Sequence, residues 1–267
     1  MVVFFTALGI FVFFGMASVA LQHNPHWANR VGAIGAVLGS IAGLVAAIHC
    51  LGWMDCAFNT PWLVPGGAFH LSITPLSAFF LLPLFVLGGL AAVYGTEYLL
   101  PPHAENRNAH KIGAAWFFYN VLMASMALVF TAQNAVLFLV AWEAMALSSF
   151  FLVTYDDDKK DVRSAGWTYL VATHVGTAFL FAFFALMGRQ AGSFEFSAFT
   201  EHSAPAGAGL LFVLAVIGFG TKAGFMPLHV WLPEAHPAAP SHVSALMSGV
   251  MIKTGIYGML MTISWLG

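Results

Sequence analysis

LLFVLAVIGFGTKAGFMPLHVWLPEAHPAAPSHVSALMSGVMIKTGIYGM, residues 210–259, is the stretch whose reading decides the fold. It opens as an apolar, membrane-spanning helix, yet it holds Lys222 inside the run and meets Gly224 and Pro227 directly afterwards. Proline removes a backbone donor and clashes with the carbonyl four residues earlier, so a break is expected there. Beyond the break come His229, His236 and His242, and then a second apolar run that carries Lys253. A lysine deep in a bilayer costs a few kcal/mol or more and calls for a functional reason. Discontinuous helices with polar residues at the break are where transporters handle ions.

Composition agrees with a membrane setting. Of 267 residues, 60% are hydrophobic and only 7% charged, with a mean hydropathy of +0.85. A soluble domain carries about 25% charged residues. With about 20 apolar residues per crossing, the length suits roughly eight helical spans. The fold expected is all-α, a polytopic transmembrane bundle. The spans are placed near 3–22, 31–51, 75–99, 112–132, 134–154, 164–188, 208–226 (broken) and 243–266. Residues 3–22 lack a basic leader and read as the first membrane helix. A net charge of −2 with no basic patch gives no sign of nucleic-acid binding.

The basic residues orient the chain. Arg30, Arg107, Lys111, Lys159, Lys160 and Arg163 fall in alternate connections on one side, and Arg189 alone falls on the other. The positive-inside rule puts those connections in the cytoplasm and the N-terminus outside. Gly35, Gly39 and Gly43 form a small-residue face on the second span, expected to let helix backbones approach closely. Pro83 is expected to bend the third span. Cys50 and Cys56, near the outer end of span two, read as two apolar thiols, although a bridge is geometrically open to them.

Glu143 lies near the middle of the fifth span. About ten residues at 1.5 Å rise separate it from either face, so its carboxylate sits some 15 Å deep. It must be protonated or have a cationic partner, and Lys222 is the candidate; a purely structural ion pair is the alternative. Burial favours neutral lysine, whereas a nearby carboxylate favours the charged form. Opposed in this way, the two charges make a switch. His229, His236, His242 and, in the sixth span, His174 are candidate proton carriers, since imidazole titrates near neutrality; singly, each also reads as a hydrogen-bonded loop or core histidine. Their spacing does not make a zinc site, and neither a cluster nor a nucleotide motif accompanies them. No cofactor or metal is expected.

WEAMALSSFFLV at 142–153 and KAGFMPLHVWLPEAHPAAPSHVSALMSGVMIKTGIYG at 222–258 resemble the antiporter-like subunits shared by respiratory complex I, Mrp-type cation/proton antiporters and membrane-bound group 4 hydrogenases. The second motif is nearest to the hydrogenase-4 and formate hydrogenlyase branch. The resemblance implies that Glu143 pairs with Lys222, that Lys253 carries the proton onward, and that His242 belongs to the linking segment. It further implies a multi-pass protein of the cell inner membrane, with other membrane subunits and soluble hydrogenase and iron–sulfur subunits as partners. Protons, or sodium, would be the cargo, and no redox chemistry would occur in this chain. Residues 1–111 would be N-terminal helices and 112–267 the first five-helix repeat. Relatives have about fourteen spans, and the second repeat is absent from this chain, so one half-channel, opening to the cytoplasm, is expected of it. Three further readings stand beside the hydrogenase one: an Mrp-type sodium/proton antiporter, a quinone oxidoreductase subunit, and a non-conducting scaffold for the soluble redox arm.

Overall fold

The computed structural model describes residues 1–52, 56–100, 109–201 and 205–267; Arg107 lies outside them. In hydrocarbon a backbone must satisfy its own hydrogen bonds, so the long apolar runs become helices. They are α1 (Val2–Ala20), α2 (Pro25–Gly52), α3 (Pro75–Leu99), α4 (Ile112–Thr131), α5 (Ala135–Val153) and α6 (Lys160–Ala191). A short α7 (Phe196–Glu201) leads to α8 (Ala208–Ala223) and then α9 (Leu232–Ala238). The last crossing is α10 (Ser241–Leu246), a π-helical turn at Met247–Met251, and α11 (Ile252–Leu266). Among the described residues seven helical segments are long and apolar enough to span a bilayer, and the 16-residue α8 is the short eighth. The protein is a multi-pass membrane helix bundle.

Polar side chains pin the first helices around α4. Trp116 Nε1 donates to Asn29 Oδ1 at 2.7 Å, Asn120 Nδ2 to the Gly32 carbonyl at 3.1 Å, and the Tyr119 hydroxyl to the Gly88 carbonyl at 2.7 Å. All three side chains on α4 are fully buried, where an unmade hydrogen bond costs the most. The small-residue face of α2 lets its neighbours approach closely, as expected. Gly35, Gly39 and Gly43 face the rings of Phe14, Phe11 and Phe85, and a Cβ built at any of them would lie within 2.5 Å of a ring carbon or Cβ. At Gly35 the α1 backbone comes close enough for the Phe14 Cβ to touch, and at Gly39 and Gly43 the space is filled by the rings of Phe11 and Phe85. α3 runs through Pro83 without interruption.

Two features of the second connection depart from the sequence reading. Residues 56–73 form an antiparallel hairpin, β1 (Cys56–Pro61) with β2 (Ala68–Ile73). Cys50 and Cys56 are joined by a disulfide, with Cα atoms 6.0 Å apart. Two cysteines alone make no framework, so the sequence favours free thiols; the hairpin brings Cys56 back onto the end of α2. Disulfides persist in oxidising compartments, so the bridge argues independently for the outer side that the basic residues assign to this connection.

The hairpin is tied into the bundle. Gln133 N–H donates to the His70 carbonyl at 2.9 Å, and Phe196 N–H donates to the Gln133 carbonyl at 2.8 Å. His70 Nδ1 lies 2.6 Å from Glu195 Oε2, and Asn134 Nδ2 donates to Glu195 Oε1 at 2.8 Å. On the opposite face Lys111 pairs with Asp157 and Lys159 with Asp156, and the Asp156 hydrogen bond and charge raise the Lys159 pKa above the ordinary lysine range.

Candidate functional site

α5 starts on a strong cap. The Asn134 side chain accepts from Val136 N–H at 2.9 Å, satisfying a donor that the first turn leaves orphaned. Nine residues on, Glu143 emerges toward α6 with its side chain 25% exposed. Its Oε2 lies 3.4 Å from His174 Nε2, while Oε1 is buried with no hydrogen-bond partner. His174 Nδ1 is 2.9 Å from the Leu170 carbonyl. A carbonyl only accepts, so Nδ1 carries hydrogen. The contact between Nε2 and Oε2 is then attractive only with a proton on one of them. Glu143 and His174 thus stand as neighbouring acid and base midway along α5 and α6.

α8 ends at Ala223 because Gly224 adopts φ 76°, the left-handed conformation that glycine tolerates. Gly224 N–H returns to the Thr221 carbonyl at 3.3 Å and Phe225 N–H to the Gly220 carbonyl at 2.9 Å, the Schellman pattern. A Cβ at Gly224 would also lie 2.2 Å from Leu232 Cδ1. Trp231 Nε1 donates to the Thr221 carbonyl at 2.8 Å, so the opened backbone stays satisfied. The break is made by Gly224, and Pro227 lies four residues past Ala223, where it keeps the helix from resuming.

Lys222 therefore sits in the last turn of a half-helix, at the end where the peptide dipoles favour a cation. It is 2% exposed. Its Nζ donates to the Tyr169 hydroxyl at 2.8 Å, and that hydroxyl is hydrogen-bonded to Ser149. Among the described residues no ion pair joins Lys222 to Glu143 directly, although the carboxylate lies within coulombic reach of the lysine. The expected partnership is split: the acid rests on His174 and the base on Tyr169. Which faces of α5, α6 and α8 meet is a matter of helix rotation, and span positions alone do not carry it. Tyr169 and Ser149 join the site only in the folded chain. The signal was present, since a phenol and a serine pair within apolar spans both need partners.

The remaining candidates fall into separate groups. Lys253 opens α11 directly after the π turn, and its Nζ donates to the Ser248 carbonyl at 2.6 Å. π turns free backbone groups and recur at functional sites. His242 is buried among the rings of Tyr98, Trp116 and Tyr119, with Nδ1 unpartnered. It borders a cleft of about 390 Å³ lined by Leu87, Leu90, Tyr94 and Ala245. His229 has a buried, unpartnered Nδ1. Among the described residues no three His, Cys, Asp or Glu side chains converge as a metal site would require.

His236 lies outside the spans, stacked on Trp231, with Nδ1 3.0 Å from Ser244 Oγ. Burial lowers its pKa below 6.5. The folded state thus favours neutral imidazole: that contribution is complete above the ordinary histidine pKa and is lost as pH falls beneath it. The melting temperature of the protein should accordingly drop on acidification below about pH 6.5, and His236→Asn should flatten that drop. An unchanged slope in the variant would remove His236 from the account.

Residues 132–266, which include Glu143, Lys222 and Lys253, match the family model described as NADH:quinone oxidoreductase/Mrp antiporter, transmembrane. The chain belongs to that family. This antiporter-like chain is 38% identical over 258 residues to hydrogenase-4 component B of Escherichia coli (strain K12), covering 95% of itself and 37% of the relative. It is 31% identical to formate hydrogenlyase subunit 3 of the same organism, covering 87% of itself and 37% of that protein. The antiporter-like chain thus spans a little over a third of the length of these curated relatives. Its fold matches a chain of the Mrp complex from Dietzia sp. DQ12-45-1b with a TM-score of 0.76 at 25% identity, covering 95% of this chain and 28% of that one. An archaeal membrane-bound sulfane sulfur reductase, a respiratory membrane complex, contains a chain of the same fold. The TM-score is 0.79 at 23% identity, covering 98% of this chain and 41% of that one.

Proposed function

We propose that the chain is a proton-translocating, antiporter-like subunit of a redox-driven membrane complex of the hydrogenase-4 or formate hydrogenlyase type. The observation that carries this reading is Lys222: a 2%-exposed amine at the end of a broken helix, held by a phenol rather than a carboxylate. A permanent structural charge would sit on its counter-ion, because an unpaired buried charge is costly; a lysine that loads and releases a proton need not. Glu143 with His174 exchanges protons with Lys222, and Lys253, just after the π turn, passes them on. His229, His236 and His242 line the connection between the two lysines and serve as further carriers. Residues 1–111 act as supporting helices and 112–267 as one antiporter-like repeat with one half-channel. The protein resides in the cell inner membrane beside other membrane subunits, with soluble hydrogenase and iron–sulfur subunits supplying the driving reaction.

A sodium/proton exchange of the Mrp type is the second reading, favoured by the likeness to the Dietzia chain. Sealed vesicles carrying the assembled complex separate the two. Turnover should acidify or alkalinise the lumen equally with and without sodium on the first reading, and only with sodium on the second. If turnover moves neither cation, the scaffold reading takes their place.

A further inference from the structure

We infer that Tyr169 is a positioning residue for Lys222, offering it a second resting place that competes with Glu143. The inference rests on the reading of Lys222 as a proton carrier and adds a residue to it.

The direction of each hydrogen bond can be worked out. The Ser149 hydroxyl has one hydrogen, and its Oγ lies 2.7 Å from the Met145 carbonyl and 3.0 Å from that of Ala146, both of which only accept. The serine hydrogen therefore points back to its own helix, and a serine lone pair is left to receive the Tyr169 O–H. The phenol, so turned, presents its oxygen lone pairs to Lys222 Nζ at 2.8 Å. Tyr169 is fully buried, so water does not compete for the phenol. Its own proton points to Ser149, with the weak acceptor Met251 Sδ 3.9 Å away as the alternative; with either partner the phenol offers the lysine a lone pair and acts as a docking acceptor.

Glu143 shows the other half of the exchange. Its Oε1 is buried and unpartnered while Oε2 faces His174. An acceptor left bare in an apolar setting is unfavourable, and a lysine swinging over from Tyr169 would cover it. The four-carbon stem of lysine rotates readily. Tyr169 thus sets how firmly Lys222 is kept from the carboxylate. An oriented neutral phenol is a weaker acceptor than a carboxylate, so the lysine can leave it. Without the phenol the lysine and Glu143 would stay locked together.

The test uses the full-length protein in its assembled membrane complex, with Tyr169→Phe removing only the oxygen. In its structure by electron cryomicroscopy, Lys222 Nζ should lie within about 4 Å of the Glu143 carboxylate, the ion-pair distance, and cation translocation should fall about tenfold as the pair becomes harder to part. Ser149→Ala, which frees the phenol to turn, should move the same nitrogen and slow translocation less. A lysine that keeps its position beside the ring at 169 in both variants would overturn the assignment, whatever the rate. Failure of the underlying functional reading would look different: Lys222→Ala would translocate normally, while the position of Nζ in Tyr169→Phe would still decide the role of the tyrosine.

Discussion

Glu143→Gln should leave the assembled complex intact and stop cation translocation, and Lys222→Met should do the same. Both substitutions keep side-chain volume and remove the ability to exchange a proton. Glutamine can still meet His174, and methionine fills the apolar track of the lysine beside the Tyr169 ring. In each single variant the remaining ionisable group keeps a hydrogen-bonding neighbour, Lys222 on Tyr169 and Glu143 beside His174, which limits the destabilisation that follows when one partner of a buried pair is removed. The loss should reach on the order of a hundredfold, the scale on which positioned proton-transfer groups act. Lumenal pH in sealed vesicles, read beside subunit content and redox turnover, separates lost transport from lost assembly. The scaffold reading expects the opposite, namely that both charges can be exchanged for apolar residues together without functional loss. Full pumping in the double variant would therefore refute the charge-switch mechanism.

The second large effect is expected at Gly255 on α11. A Cβ there would lie 2.4 Å from the Phe219 carbonyl oxygen and 2.7 Å from the Ala223 nitrogen. Both are backbone atoms of α8, in the turns that carry Lys222, so neither can move aside as a side chain would. Gly258 faces the Phe219 ring one turn later, where a Cβ would come within 2.3 Å. In membranes such small residues let helices approach where no hydrophobic force drives them together. Gly255→Val should push α8 off α11 and cost about 3 kcal/mol or more, at the upper end of overpacking penalties. The purified complex should melt several degrees lower and translocate poorly. Gly9→Ala is the control, since nothing lies within 4 Å of a Cβ there. Equal melting of the two variants would mean that α8 and α11 do not approach as described.

Several parts of this architecture could be read directly from the residues. The apolar runs gave the crossings to within a few residues, because hydrocarbon permits little besides helices over such lengths. Gly224 and Pro227 marked the break at α8, since each disfavours continuing a helix for a local backbone reason. Other features arise from residues far apart in the chain. The Cys50–Cys56 bridge required the hairpin to fold back, and the bond between Tyr169 and Lys222 joins α6 to α8 across 53 positions.

Glu143, Lys222 and Lys253 stand in apolar runs of the chain, so sequence by itself shows that ionisable groups interrupt the candidate spans. Which of them touch is set by the rotation of each helix about its axis and by how closely glycines let the axes approach. Those quantities depend on packing around the whole bundle, and so only the tertiary structure put the acid beside His174 and the lysine beside Tyr169.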